Sequence, residues 1–279
     1  MYQKVNDNSD IDIKSAKIQL LTILKEHNGN TKHPEVLVAI DNLTNLWRNS
    51  KDESVLEIST SPANSAAVNG DWISISAPPY PGRKIKKTQD QQQADLCYQY
   101  TLGRLSFNIF QPKELLCTIN SITNAIHTVE SGHEELGDVT YNIETDVILH
   151  TPDGDLPGEI VMEAFCYPDP ENQRRTIVAF VGGAMYKPET VERDDTLNQI
   201  WMKCFGNAYS KADKERGYVE SITRNAMKFI LKLEMPTDNN QKYKIKRIMK
   251  GYLDYLYLDD NLKITKGNQG SITILEKKY

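Results

Sequence analysis

The chain has 279 residues, which is enough for one large domain or two small ones with a sizeable core in either case. With 39% hydrophobic and 25% charged residues, the composition is that of an ordinary soluble protein. The net charge of −5 argues against a general nucleic-acid binder, because phosphate contacts need a clustered excess of Lys and Arg. No run of about 18 apolar residues occurs, so the sequence predicts no membrane-spanning helix.

The four cysteines are scattered along the chain. They are Cys97, Cys117, Cys166 and Cys204. This spacing excludes a compact zinc site and gives no indication of a disulfide framework, so we expect reduced and mostly buried thiols. The N-terminal segment MYQKVNDNSDIDI lacks the basic, apolar and Arg/Ser-rich features of targeting sequences, and the expected location is therefore cytoplasmic.

Two helices are predicted at the N-terminus. The first should end at Asn28 and Gly29, and Pro34 suits the first turn of the second. Together they form a helical hairpin that we expect to cover one end of the fold. Residues 51–68 are predicted to be a connecting segment.

After this segment the hydrophobic period changes from helical to two residues. The predicted strands are Asp71–Ser76, Leu96–Phe110, Leu115–Ile122, Val139–His150, Glu159–Cys166 and Thr176–Val181. The run Val139–His150 alternates most regularly, which indicates one packed face and one wet face. Many strands joined by turns, with no helices between them, favour an antiparallel sheet that closes on itself. Gly182 and Gly183 are interpreted as a bulge or barrel corner.

A helical period returns between Asp195 and Met235. One stripe of this segment, mostly apolar, is formed by Tyr218, Ile222, Asn225, Phe229 and Leu233. Pro236 stops this run, and the strand pattern resumes near Lys244. The helical part is therefore predicted to be an insertion before the last strands.

The C-terminal residues form two short apolar strands around a turn. Gly267 and Gly270 can bracket this turn, where a positive φ is cheap only for Gly or Asn. In a small barrel the final strand must pair with the first, which begins at Trp72, because this pairing removes both sheet edges. Ile272 and Ile274 of the final strand are two residues apart and are expected to fill the barrel core.

This C-terminal run resembles the signature of the plastid-lipid-associated proteins, also called plastid fibrillins. That family ends in an acidic corner, a basic strand and a Gly-Ser-apolar strand. The Asn-Gly-Asp-Trp run is similar to the Gly-x-Trp that opens the barrel in this family and in lipocalins. The matching positions are Gly70, Trp72, Asp259, Lys263, Lys266, Gly267 and Gly270. Lys263 and Lys266 depart from the family pattern, because they replace arginines and lose the planar fork of a bidentate contact.

The strand pattern and the resemblance together predict a fold that is mainly β with α. It consists of an antiparallel lipocalin-like β-barrel over 68–279, an N-terminal helical hairpin with its linker over 1–67, and a helical insertion at about 195–235. The resemblance implies non-enzymatic binding or shielding of a lipophilic small molecule, with a carotenoid, a prenylquinone, tocopherol or an acyl lipid as candidates. It also implies photosynthetic membranes as the setting, and we expect a cyanobacterial protein with peripheral contact to the thylakoid.

Aromatic residues in the predicted strands are the candidate lining of an apolar ligand cavity. They are Trp72, Tyr98, Tyr100, Phe107, Tyr141, Phe165 and Phe180. The alternative is that the same side chains only fill the barrel core. The sequence does not separate these alternatives, because both put the aromatic rings inside.

No arrangement of residues in the sequence indicates catalysis, a cofactor or a metal site. The motifs of serine hydrolases, zinc proteases and phosphate-binding loops are absent. His133, with Glu134, Glu135 and Asp138 close by, is interpreted as part of a glycine-containing turn, and the other histidines show no ligand-like spacing. The prediction is therefore a binding protein and not an enzyme.

Two other functions stay open at this level. The first is a bilin lyase-like chromophore-attachment factor, since some bilin lyases use a lipocalin-like fold and the fold does not decide the function. The sequence offers no signature for it. The second is an assembly scaffold of the photosynthetic apparatus, which would bind a protein partner through the helical insertion and the N-terminal hairpin.

Overall fold

The structure is a computed structural model that describes residues 8–78, 83–86, 96–215, 217, 229–230 and 232–279. Side chains are described for these residues except 8–11, 83–86 and 96–98. The helices are α1 Asn8–Glu26, α2 Pro34–Arg48, α3 Glu53–Thr60, α4 Leu102–Leu105, α5 Glu189–Arg193, α6 Asp195–Phe205 and α7 Ala208–Glu215. The strands are β1 Gly70–Ser74, β2 Arg83–Lys86, β3 Leu96–Thr101, β4 Leu116–His133, β5 Gly137–Thr151, β6 Gly154–Asp169, β7 Asn172–Tyr186, β8 Leu233–Glu234, β9 Lys242–Leu258, β10 Leu262–Gly267 and β11 Ile272–Lys277.

Eight of these strands form a closed antiparallel barrel. Around the ring they follow the order β1, β11, β10, β9, β7, β6, β5 and β4, and β4 pairs with β1 to close it. Trp72 of β1 pairs with Lys277 on one side and with Asn124 on the other. Both edges of β1 are therefore occupied, which confirms the predicted pairing of the final strand with the strand of Trp72. The fold class, mainly β with α, is also confirmed.

β4 changes its neighbour along its length. Its later part pairs with β1 from Thr123 to Ile126, while its first residues, Leu116–Thr118, pair with β3. β2 lies on the far edge of β3, and β8 pairs with β9, so these three strands lie outside the ring. As a consequence, β1 and β4 separate beyond the pair of Ile73 with Thr123.

Helices α1 and α2 pack on the outer wall of the barrel over strands β9, β10 and β11. The ring of Trp47 in α2 lies 5.5 Å from the ring of Tyr257 in β9. Tyr257 pairs with Ile264 and Ile264 pairs with Ile274, so these three side chains share the outer face. Ile264 and Ile274 are nevertheless fully buried, because the helices cover them. The predicted helical hairpin is confirmed, but it covers a side wall and not one end of the fold.

A second apolar cluster fills one half of the barrel. Trp201 and Phe205 of α6, whose rings lie 4.5 Å apart, belong to this cluster together with inward side chains such as Leu149 and Leu156. The helices that follow β7 therefore pack against this half of the barrel. In the described part of the chain, none of the helices is long and apolar enough to cross a bilayer.

Two segments in the N-terminal half of the chain differ from the sequence prediction. The connecting segment 51–68 contains α3, which Asp52 caps by accepting from two backbone N–H groups. The strand expected to continue from Leu96 to Phe110 ends at Thr101. The Thr101 hydroxyl accepts from the Arg104 N–H and starts α4, because a capping side chain at this point favours a helical turn over an extended chain.

The helical insertion agrees with the structure in its first part. α6 and α7 cover much of the predicted range 195–235. Most of the predicted apolar stripe, at 218–228, lies outside the described residues. Phe229 and Ile230 are helical and exposed, whereas Leu233 lies in β8 and pairs with Ile245 of β9. The helix therefore ends earlier than Met235.

The described thiols are mostly buried, as the sequence predicts. Cys117 and Cys166 are buried and Cys204 is half-buried, and all three are free. The Cys97 side chain lies outside the described residues.

Gly183 occupies a tight position at a bulge between β7 and β9. The register shifts between Phe180 and Gly182, which confirms the predicted bulge at this glycine pair. A Cβ at Gly183 would clash with the carbonyl oxygen of Val161 and lie 2.7 Å from the Tyr243 ring. We expect Gly183→Ala to lower the free energy of unfolding by about 1–3 kcal/mol, because the neighbours must move to admit the methyl group.

Gly251→Ala is the matched control for this prediction. Gly251 lies in β9 of the same sheet, and the nearest atoms to an added Cβ, in Asn268, are 3.9 Å away. Urea unfolding should show a lower midpoint for Gly183→Ala and a midpoint near that of the wild type for Gly251→Ala. Equal midpoints for both variants would contradict the close packing at the bulge.

Candidate functional site

Lys263 of β10 points into the barrel. It pairs with Leu275 of β11, which pairs with Ser74 of β1, so these three residues form one row on the inner face. The Lys263 nitrogen lies 4.6 Å from the ring centre of Trp72 and 5.9 Å from that of Tyr141. Tyr141 belongs to β5, four strands away around the ring, so its approach to Lys263 crosses the barrel interior.

The Lys263 amine is buried and unpaired. The residue is 1% exposed, and its Nζ has no hydrogen-bond partner among the described residues. Burial lowers the pKa of this amine well below its usual value of 10.5, and nearby Lys277 acts in the same direction. Cation–π contacts stabilise a charged amine by only about 0.5–2 kcal/mol, whereas the burial of an isolated ammonium group costs several kcal/mol. Lys263 therefore has unused hydrogen-bonding capacity inside an aromatic core.

Three neighbouring polar residues of the interior, Asn124, Tyr141 and Cys166, supply no anion to Lys263. The Asn124 amide donates to the Tyr141 hydroxyl. Burial raises the pKa of Tyr141 well above its usual value, and it raises the pKa of the Cys166 thiol to about 12. Both groups are therefore neutral at ordinary pH, and the amine is left without a counter-charge from them.

A cleft opens where β1 and β4 separate. Its walls are Ser74 at the end of β1, residues 75–78 after it, residues 119–122 of β4 and Asn28 from the connection between α1 and α2. Its volume is about 200 Å³. We call it the seam cleft. Ser74 in its wall belongs to the same row as Lys263 and lies two strands away, a separation of about 10 Å. The wall of the seam cleft therefore shares one row of the inner face with Lys263.

A larger cleft, of about 350 Å³, lies between α6, α7 and the segment that follows α4. Its walls carry charged side chains, and one of them, Lys203, is already paired with Asp153 at 2.7 Å. Solvated and paired charges of this kind are ordinary features of a protein surface. The buried amine at Lys263 is the stronger indication of a site.

Four of the aromatic residues proposed as a cavity lining lie inside the fold. Trp72 and Tyr141 are beside Lys263, and the Trp72 indole N–H donates to the Val68 carbonyl at 2.8 Å. Phe180 is partly buried and packs against both apolar clusters. Tyr100 is buried in the second cluster. Of this group, only Trp72 and Tyr141 contact the Lys263 amine.

The other three proposed lining residues are placed differently. Phe165 lies on the opposite face of β6 from the inward Cys166, and its ring is 5.6 Å from the ring of His133. Phe107 follows α4 with 63% of its surface exposed, so its predicted position in a strand is wrong. Tyr98 lies in β3, and its side chain is outside the described residues.

Asp259 of the C-terminal motif connects the barrel to α1. Its carboxylate accepts from Lys17 at 2.6 Å, from the Tyr257 hydroxyl at 2.7 Å and from the N–H of Leu262 at 2.6 Å. Partial burial acts to raise the pKa of Asp259, but the hydrogen bonds from Lys17 and Tyr257 hold it below its usual value. Asp259 of the acidic corner therefore holds α1 against the barrel.

The remaining motif residues serve turns and the surface. Gly70 and Gly270 have positive φ values, 115° and 82°, which favour glycine. The Gly267 N–H donates to the Ser271 carbonyl at 2.9 Å and closes the turn between β10 and β11. Lys266 is exposed. Within the motif, Lys263 is the residue whose position inside the barrel indicates a binding role.

No known protein-family model, no curated protein and no solved structure matches this chain. The sequence motif had singled out Lys263 without indicating that it lies in the interior. The seam cleft had no signal in the sequence, because it depends on where β4 leaves β1 for β3.

Proposed function

We propose that the protein binds a lipophilic small molecule whose hydrogen-bond acceptor group reaches Lys263 in the barrel interior. The unpaired amine of Lys263 carries this proposal, because a ligand carboxylate or carbonyl would recover the free energy lost by burying it alone. Trp72 and Tyr141 offer apolar surface to the adjoining part of the ligand. The function is non-enzymatic in this proposal.

The chemistry of Lys263 narrows the ligand classes implied by the resemblance to plastid-lipid-associated proteins. Acyl lipids and prenylquinones carry a carboxylate or carbonyl acceptor on an apolar chain. A hydrocarbon carotenoid has no acceptor, and the phenol hydroxyl of tocopherol is a weaker acceptor than a carboxylate or a quinone carbonyl. The seam cleft, at about 200 Å³, is smaller than the usual range of about 300–1,000 Å³ for small-molecule sites, so it suits a narrow chain. We therefore favour a fatty acid or a prenylquinone.

The driving force would be the removal of the apolar chain from water. Each buried CH2 group contributes about 0.8 kcal/mol before the costs of binding are subtracted. The side chains around Lys263 are packed closely, so the ligand must displace some of them as it enters. The resemblance further suggests a photosynthetic membrane as the source of the ligand, and we propose a cytoplasmic protein at the thylakoid surface.

Titration calorimetry with oleate and with a decyl-chain quinone tests the proposal. We expect at least one of them to bind the full-length protein saturably, and Lys263→Met to weaken that binding by about tenfold or more. Lys266→Met is the matched control, since Lys266 lies on the same strand but is exposed, and its affinity should equal that of the wild type. The proposal is abandoned if neither probe binds, or if Lys263→Met binds as tightly as the wild type.

A further inference from the structure

The connection between α1 and α2 brings two histidines and a glutamate together. His27 follows α1, His33 precedes α2, and Glu35 lies in the first turn of α2. The two imidazole rings stack with their centres 3.5 Å apart and their planes 17° apart. The His27 Nε2 lies 2.9 Å from a carboxylate oxygen of Glu35. One nitrogen or oxygen atom from each residue lies within 4.8 Å of the other two.

His33 contributes a ring nitrogen that is buried and unpaired. Its Nδ1 has no hydrogen-bond partner among the residues that the structure describes. A neutral imidazole has one ring nitrogen with a lone pair, which can bind a metal ion, and a ring nitrogen that is buried without a partner costs free energy in either tautomer. The unpaired Nδ1 of His33 therefore points to a ligand independently of the short distance between His27 and Glu35.

The backbone of the connection holds both histidines in place. The His33 N–H donates to the Asn30 carbonyl at 3.1 Å, and the Asn30 N–H donates to the His27 carbonyl at 3.0 Å. The Gly29 carbonyl accepts from the Ala77 N–H at 2.8 Å, which anchors the turn to the chain after β1. His27 and His33 are therefore held by a short turn whose backbone is hydrogen-bonded, and they do not lie on a free loop.

We propose that His27, His33 and Glu35 bind a divalent transition-metal ion of the zinc class. Two imidazoles and one carboxylate are a known ligand set for zinc, with water in the fourth tetrahedral position. Zinc–nitrogen bonds of about 2.0–2.1 Å put the donor atoms about 3.4 Å apart, so the atoms that are now up to 4.8 Å apart must approach each other by up to about 1.4 Å. The stacked rings must also splay, and the exposed Glu35 side chain must turn toward them.

Such an ion would join the end of α1 to the start of α2. Asn28, the neighbour of His27, lies in the wall of the seam cleft, so the metal site would border that cleft. The proposed site shares no residue with the interior around Lys263. Its test is therefore independent of the proposed lipid binding.

The test uses the full-length protein after removal of bound metals by a chelator. Titration calorimetry with zinc chloride should give one ion per chain, and cobalt chloride should give the visible absorption bands of a tetrahedral site. We expect Glu35→Gln and His33→Asn each to weaken zinc binding by about tenfold or more. Glu35→Gln changes an exposed side chain, so it tests the site even if His33→Asn unfolds the hairpin.

His150→Asn is the matched control. His150 is a partly exposed histidine on the barrel that lies 2.8 Å from Asp155, far along the chain from the proposed site. Its zinc affinity should equal that of the wild type. Absence of zinc binding by the wild type, or equal affinities of Glu35→Gln, His150→Asn and the wild type, would overturn the proposal.

Discussion

Deletion of residues 270–279 should leave the protein insoluble or without cooperative unfolding. β11 contributes Ile274 and Leu275, both fully buried, and it pairs with β1 on one side and β10 on the other. Loss of two buried aliphatic side chains costs about 4–8 kcal/mol, which is comparable with the whole stability of a domain, about 5–15 kcal/mol. The deletion would also expose the edges of β1 and β10, and exposed edges promote association.

Deletion of Tyr279 alone is the control for this truncation. Tyr279 is 92% exposed and follows β11, so the barrel should tolerate its removal. Soluble yield, near-ultraviolet circular dichroism and thermal unfolding compare the two deletions with the full chain. Cooperative unfolding of the longer deletion, at a temperature near that of the full chain, would show that β11 is dispensable for closing the barrel.

Replacement of Lys263 by Met should stabilise the unliganded protein. Met has a similar length and no charge, so it can occupy the space beside Trp72 and Tyr141 without burying an unpaired polar group. We expect the free energy of unfolding to rise by about 1–3 kcal/mol. The same substitution should weaken ligand binding, so stability and binding would change in opposite directions.

The stabilisation by Lys263→Met should depend on pH. The pKa of Lys263 is lowered in the folded protein from 10.5, so between the two values the unfolded chain binds more protons than the folded one. The stability of the wild type must therefore rise with pH in this window, by up to about 1.4 kcal/mol per pH unit. Because the Met variant lacks this titration, its advantage should shrink as pH rises toward 10.5.

Urea unfolding at about pH 7 and about pH 9.5, below the ordinary tyrosine pKa of about 10, measures this difference. Lys266→Met serves as the control, since its exposed side chain should give no pH-dependent difference from the wild type. A Lys263→Met variant that is less stable than the wild type would indicate that the amine has a stabilising partner. The binding proposal would then lose its main support.

The sequence alone determined that the chain forms a barrel and how the barrel closes. The alternation of Tyr141, Val147 and Leu149 with polar residues in β5 predicted one packed face, and these three side chains are buried. The turn at Gly270 has the predicted positive φ. These features could be predicted because strand period and turn chemistry are local, so each short segment carries its own signal.

The predicted aromatic lining was less informative than the strand pattern. Phe107 and Phe165 looked equivalent to Trp72 and Tyr141 in the sequence, yet Phe107 is exposed and Phe165 is on the outer face. The capping hydroxyl of Thr101 starts a helix before Phe107 is reached. Aromatic residues are enriched in strands, but either face of a strand can carry one, so the residue type alone does not fix the direction in which the ring points.

Only the tertiary structure decided which face of β10 lies inside. Leu262 and Ile264 alternate with Lys263 and Thr265, and the alternation by itself favours the apolar pair inside the barrel and Lys263 in water. The helices α1 and α2 cover the outer wall at this point, so Ile264 and Ile274 are buried there and Lys263 takes the inner face. The prediction that Ile274 fills the barrel interior is wrong for the same reason.

The contact between His27 and His33 has a similar origin. The two residues are separated by a turn whose course depends on Asn28 and Gly29 in left-handed conformations and on an anchor to the chain after β1. Periodicity along the chain reports which residues share a face of one element, but not what packs against that face. The positions of Lys263 and of the two histidines follow from such packing between distant segments, which no local pattern encodes.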